Sequence, residues 1–261
     1  MFSAEQVKAR CNGMLPASVY QRIYDVARAA PGKVFVEVGA AHGAGTVCLA
    51  SAMRDSGRDG KIYSFERIVG GSREKFGTFD ENVEILKGNL RHFELENFVE
   101  LVIGDVAETH AAVPASAEIG VLMLDVDGRI DRDIGLFYDR VIAGGDIIID
   151  DVAEKVRLKP LGGRHFRIDQ KYLISHLLVQ ELIKAGLVSD VSKEVDTVFA
   201  KKTEARVSDL PPEAVLGAYR ELVFANAMRP PSFAHRIVSG AVRTASPALF
   251  ARLKALFGRT A

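Results

Sequence analysis

Carboxylates recur at the ends of apolar runs in this sequence. VFVEV (34–38) contains Glu37, and KIYSFE (61–66) ends on Glu66. VELVIGD (99–105) ends on Asp105, and IGVLMLD (119–125) on Asp125, with Asp127 close behind. GGDIIIDD (144–151) ends on Asp150 and Asp151. In an open parallel sheet, ligands bind outside the carboxyl ends of the strands. One acid at one such end says little, but acids repeated along one sheet edge describe a site. Between the first two runs lies GAAHGAG, with Gly39, Gly43 and Gly45. Glycine lets backbone approach a ligand closely and adopt positive φ. Glu66, 21 residues after Gly45, is placed to accept hydrogen bonds from both hydroxyls of a ribose. Asp105 is placed to meet an adenine amino group. The spacing G-x-x-x-G-x-G differs from the G-x-G-x-x-G dinucleotide fingerprint, which weighs against a nicotinamide cofactor. Taken alone, the loop also suits an ordinary tight turn.

The elements that must position these residues follow from periodicity. Residues 17–30 carry Val19, Ile23, Val26 and Ala27 at helical spacing. Strand-like and helix-like segments then alternate. Strands are expected at 33–38, 61–66, 99–105, 119–127 and 144–151. Helices are expected at 44–55, within 74–93, at 130–142 and over 169–186, where Gly186 stops the last one. LKPLGGRHFR (158–167) reads as a loop, and 187–202 as two strands that pair at a sheet edge. Alternation of this kind implies βαβ units and a parallel sheet. The continuous apolar runs suit strands covered on both faces. The expectation is a doubly wound, Rossmann-like α/β domain over residues 1–203, with a mostly parallel seven-stranded sheet and an antiparallel edge hairpin. Residues 204–261 form a helical, basic extension.

The ordered set E-x-G-x-x-x-G-x-G-T, an acid at the second strand end and GD at the third resembles class I S-adenosylmethionine-dependent methyltransferases over about residues 30–202. The resemblance implies that Glu37, Gly39, Gly43, Gly45, Glu66, Asp105 and Asp125 bind S-adenosyl-L-methionine. LDVDG followed by AGGDIIIDDV is similar to metal-dependent O-methyltransferases, including macrocin-type enzymes that methylate sugar hydroxyls. In that group one aspartate follows the fourth strand, and two adjacent acidic or amide residues follow the fifth. Asp125, Asp150 and Asp151 match those positions, which implies a site for a hard divalent ion such as Mg²⁺. Asp150 and Asp151 also suit helix N-caps. DVDGRIDRD does not suit a calcium loop, because its glycine falls at the fourth position and no glutamate closes it. The family often carries a lysine or histidine just after the fourth-strand aspartate as base. Here Val126, Asp127, Gly128 and Arg129 follow Asp125, so the base is sought elsewhere, at His165 or Lys155. His42, inside the glycine loop, is expected to face cofactor or solvent. The acceptor implied is a small-molecule or glycan hydroxyl.

Charge separates the tail from the rest. Net charge is zero, but no acid follows Glu221, while Arg229, Arg236, Arg243, Arg252, Lys254 and Arg259 do, leaving residues 1–221 near −6. Leu249, Phe250, Leu253, Leu256 and Phe257 share one helical face beside three of those cations. That pattern suits packing on the domain or in a homodimer, or peripheral contact with an anionic membrane; packing is the expectation. Nucleic acid is not expected, because no aromatic platform accompanies the charge. No apolar run reaches the ~20 residues that span a bilayer, and MFSAEQVKARCNG has no apolar signal-peptide centre. With only Cys11 and Cys48 present, a reducing cytoplasmic setting is expected.

Overall fold

A computed structural model describes residues 2–67, 78–162, 165–228, 244–246 and 248. Two helices come first, α1 (Ala4–Arg10) and α2 (Ala17–Ala29). There follow β1 (Val34–Val38), α3 (Ala44–Asp55), β2 (Lys61–Glu66), α4 (Phe79–His92), β3 (Val99–Ile103), α5 (Val106–Thr109), β4 (Ile119–Leu124), α6 (Ile130–Phe137) and β5 (Val141–Ile149). The chain continues through β6 (Arg157–Gly162), β7 (His165–Asp169), α7 (Lys171–Lys184), β8 (Val188–Glu194), β9 (Thr197–Lys202) and α8 (Pro212–Met228). Seven strands form one sheet in the order β3-β2-β1-β4-β5-β9-β8. Its first five strands are parallel, and β9 runs antiparallel to both β5 and β8. This is the doubly wound sheet and edge hairpin that the alternating runs imply.

Helices cover both faces. Phe35, Val121, Ile148 and Phe199 meet Ile23, Val47, Leu49 and Met53 of α2 and α3 on one side. Val36, Leu122, Ile147 and Ile149 meet Ile134, Phe137, Leu178 and Leu182 of α6 and α7 on the other. All six residues of β4 are buried, as a central parallel strand requires. Each fully buried Phe, Ile or Leu contributes ~1.5–3 kcal/mol. Ala218 and Leu222 of α8 also belong to the second of these layers, and the Tyr219 hydroxyl donates to Asp131 at 2.9 Å.

Register sets the site. Val38 lies opposite Leu124, and Leu124 opposite Ile149. The Asp125 N–H donates to Val38 O and the Asp150 N–H to Leu124 O, both at 2.9 Å. The ends of β1, β4 and β5 are therefore level, and the residues after them emerge together.

Three elements differ from the sequence reading. Residues 157–162 and 165–169, which take in most of the segment read as a loop at 158–167, pair as the antiparallel strands β6 and β7. In a two-stranded ribbon both strands are edge strands, where a proline is tolerated. The helix expected over 130–142 ends at Phe137, passes through a 3-10 turn at Tyr138–Arg140, and yields to β5 at Val141. Val141 pairs with Ile119, and the register shift that follows accommodates the two glycines, Gly144 with φ of 75°. Finally, α1 carried no strong periodic signal. Ser3 caps it, accepting from the Gln6 N–H at 3.4 Å, and Val7 and Cys11 seat it on the α2–α3 layer.

Candidate functional site

A cavity of about 410 Å³ opens at the carboxyl ends of β1, β4 and β5. Its lining includes Glu37, Gly39, His42 and Gly45 at one end and Asp125, Asp150, Asp151, Lys171 and Tyr172 at the other. Cys11 to Pro16, between α1 and α2, form a further wall.

The glycine-loop end is built around buried acids. Glu37 is 1% exposed and accepts hydrogen bonds from Thr46 Oγ1 at 2.5 Å and Ser64 Oγ at 2.6 Å. Burial pushes its carboxyl up to about 7, although the two hydroxyls pull the other way. The loop's glycines are required by what surrounds them. A Cβ on Gly39, whose φ is 99°, would lie 2.0 Å from the Asp125 carbonyl oxygen. A Cβ on Gly45 would lie 2.4 Å from Glu37 Oε1. Gly43 takes φ of 86° as it enters α3. Glu66, also 1% exposed, accepts from the Ala41 N–H at 2.6 Å and so ties the loop to β2. From α4, Asn82 Oδ1 lies 2.8 Å from His42 Nε2, and the Asn89 amide donates to His42 O at 2.8 Å.

The far end concentrates charge. One carboxylate oxygen from each of Asp125, Asp150 and Asp151 lies within 4.8 Å of the others. Thr197 Oγ1 donates to Asp150 at 2.6 Å. Burial, then the neighbouring Asp151, raises the Asp150 carboxyl to about 6. Asp151 is held at φ of 58°, a region that costs a non-glycine residue energy. Lys171, the first residue of α7, pairs through Nζ with Asp151 Oδ2. Burial alone would lower the Lys171 ammonium, but Asp151, with Asp125 and Asp150, more than reverses this and raises it. The Tyr172 hydroxyl is pushed up by burial and by its hydrogen bond to Asp151. All-oxygen donors of this kind fit a hard divalent ion.

The structure thus brings Glu37, Gly39, Gly43, Gly45 and Glu66 together at one end, and Asp125, Asp150 and Asp151 at the other. Gly43, Glu66 and Asp105 do not line the cavity as bounded by the described residues. Asp105 caps α5, accepting from the Ala107 N–H at 3.0 Å, and pairs with Arg132 at 3.4 Å and Arg67 at 3.7 Å. Lys155 is set back from the cavity. Its ammonium pairs with Asp196, which does line it, and lies 4.6 Å from the centre of the Tyr172 ring. His165 opens β7, but its side chain lies outside the described residues, as does the apolar face from Leu249 to Phe257. Sequence reasoning missed Lys171, Tyr172, Thr197, Ser64 and the Cys11–Pro16 wall. Only Thr46, in G-x-G-T, stood within a motif.

Residues 36–152 match the family model described as a methyltransferase domain. No curated protein matches the sequence. Solved structures share the fold at low identity. A putative O-methyltransferase from Klebsiella pneumoniae is 15% identical with a TM-score of 0.57, over 77% of this chain and 89% of that one. TomG, an O-methyltransferase from Streptomyces achromogenes solved in complex with SAM, is 16% identical with a TM-score of 0.56, over 77% and 87%. A putative caffeoyl-CoA O-methyltransferase from Staphylococcus aureus is 16% identical with a TM-score of 0.57, over 77% and 93%. The chain therefore shares the fold of these methyltransferases, and residues 36–152 match the methyltransferase-domain model within it. Among the described residues, no helix is long and apolar enough to cross a membrane.

Proposed function

We propose that the protein transfers a methyl group from S-adenosylmethionine to a hydroxyl oxygen of a small molecule or glycan, with a divalent ion, Mg²⁺, at Asp125, Asp150 and Asp151. The observation that carries this reading is the single cavity, which joins the glycine loop to the three carboxylates. Bound S-adenosylmethionine supplies an electrophilic sulfonium methyl. A bound divalent ion supplies positive charge that lowers the acceptor's pKa and fixes its oxygen in line.

The chain's own residues do the rest. The loop from Gly39 to Gly45 brings bare backbone against the donor. Glu66 accepts from the ribose hydroxyls, Asp105 from the adenine amino group, and Glu37 shapes the loop from beneath. Asp125 stands between the two ends and serves both. The Cys11–Pro16 wall excludes water from the reacting centre. His165, or Lys155 once it has given up its own proton and its pair with Asp196, takes the acceptor's proton, and a positioned base is worth about 10²–10⁴-fold in rate. Lys155→Met and His165→Gln, each measured for kcat against pH, separate them.

Incubating the protein with methyl-labelled S-adenosylmethionine and a panel of polyols, catechols and sugars, with Mg²⁺ or with excess chelator, tests the proposal. Label on oxygen with Mg²⁺ and none with chelator is the expected result. Full transfer in chelator favours a second reading, a metal-independent methyltransferase; the ion pair between Lys171 and Asp151, a cation already in the cluster, speaks for it. No transfer to any acceptor, with S-adenosylmethionine still bound, favours a cofactor-binding protein acting through its basic tail. The proposal includes a cytoplasmic setting, for which two free, buried cysteines speak. It also treats 204–261 as an extension to a domain ending at 203, its tail packing on the domain or a second subunit rather than on lipid.

A further inference from the structure

We infer that the methyl acceptor is an anion, and that Arg157 holds its charged group, a carboxylate or a phosphate, at the rim of the cavity. The inference rests on the reading of this cavity as the acceptor site and makes Arg157 a specificity-determining residue.

Placement comes first. Arg157 opens β6 and lines the cavity, with its side chain 48% exposed. Its guanidinium carbon lies 4.0 Å from the centre of the Tyr172 ring. That ring is buried, and its hydroxyl is hydrogen-bonded to Asp151. A guanidinium laid on a fixed aromatic face keeps its in-plane N–H groups clear for a ligand.

Partners come second. Two ammonium groups stand at the same ring, Lys155 at 4.6 Å and Lys171 at 5.5 Å from its centre. Each already has a carboxylate, Asp196 for Lys155 and Asp151 for Lys171. Arg157 approaches only the Asp196 oxygen that Lys155 holds, and at 3.9 Å, beyond hydrogen-bond distance. Asp169, opposite Arg157 in the ribbon's register, accepts instead from the Lys171 N–H at 3.3 Å. The five guanidinium donors therefore have no acceptor at hydrogen-bond distance among the described residues. By sequence, Lys159, Arg164 and Arg167 also precede Asp169 in the segment that Arg157 begins, and no other acid does.

The consequence is an orientation. Asp150 and Asp151 disfavour a further anion beside them, while Arg157 attracts one at the rim. An acceptor is thereby turned with its charged group outward and its hydroxyl toward the aspartates. The span is that of one phenol ring, since the same tyrosine carries Arg157 on its face and Asp151 at its hydroxyl. Arginine grips a carboxylate or phosphate through two parallel N–H···O bonds, which lysine cannot.

The test loads the full chain with S-adenosylhomocysteine and Mg²⁺ and titrates matched compounds by calorimetry and ligand-observed NMR. The pairs are protocatechuate against its amide, and glycerol phosphate against glycerol. Wild type is expected to bind at least one anion ~10-fold or more tighter than its neutral match. The pair that shows the preference tells carboxylate from phosphate. Arg157→Gln should bring the members of that pair within ~3-fold of each other with S-adenosylhomocysteine still bound, and Arg157→Lys should keep part of the preference. Circular dichroism checks the fold, and Arg157→Met replaces Arg157→Gln if the latter does not fold. No preference in either pair, or one that Arg157→Gln retains in full, overturns this inference alone. Absence of S-adenosylhomocysteine binding overturns the methyltransferase reading and this inference with it.

Discussion

At the glycine-loop end of the cavity, Glu37 is 1% exposed, yet two hydroxyls suffice to hold it. At the other end Asp150 and Asp151 are each 5% exposed, and there an ammonium is recruited as well. The difference is in number. A lone buried carboxyl can escape its desolvation by binding a proton, and Glu37 is accordingly raised to about 7. Adjacent carboxylates joined by a third repel one another, and each raises the proton affinity of the next. A cation relieves all three at once. The first end is built from neutral donors that fix a shape, the second from carboxylates with an ammonium set against them.

The comparison can be broken most severely at the charged end. Asp150→Asn should lower kcat for methyl transfer by ~10³-fold or more, since Lewis-acid stabilisation is worth several kcal/mol. It should leave S-adenosylmethionine affinity within about 3-fold of wild type, by calorimetry, because its partner is Thr197 rather than the loop. A large loss of cofactor affinity would mean that the two ends are not separable.

At the other end the expected effect is on stability. The Glu37 carboxyl lies at about 7 in the folded protein against an ordinary 4.5. The stability held by its protonated form is complete below about pH 4.5 and is lost as pH rises through about 7. Relative to Glu37→Gln, wild type should therefore lose up to ~3 kcal/mol over that window. Urea unfolding of both at pH 5 and pH 8 measures it, and a pH-independent difference would show that Glu37 is already ionised.

A smaller loss is expected at Glu66. Glu66→Ala should weaken S-adenosylmethionine binding by ~1.5–3 kcal/mol, the range for hydrogen bonds to a charged group. An unchanged dissociation constant, by calorimetry, would remove Glu66 from the cofactor site. The smallest effect is expected at the tail. Deleting 230–261 should lower thermal stability by a few degrees or halve the particle mass in light scattering, corresponding to ~1 kcal/mol or less. Co-sedimentation of the full chain with anionic vesicles should be weak and nearly independent of salt. Steep salt dependence, lost with the tail, would instead signal lipid binding, since screening shortens from ~10 Å at 0.1 M to ~3 Å at 1 M.

The sequence by itself determined the order of strands and helices, the edge hairpin and the acids that end the strands. These are local signals. A run such as IGVLML must be a buried strand because nothing in it can face water, and an acid directly after it must stand at the sheet's edge. The glycine loop was legible for the same reason, as its spacing is contained within seven residues. Tertiary structure alone decided which groups meet those acids. Lys171 lies 20 residues beyond Asp151, in a segment that reads as one more amphipathic helix, and no periodicity marks which lysine will turn inward. Thr197 reaches Asp150 because β9 runs back beside β5, and Ser64 reaches Glu37 because β2 lies level with β1. The Cys11–Pro16 wall depends on where α1 docks. A side chain's type is written in the chain, but its partner is fixed by register and packing between distant segments, which are set only when the sheet closes.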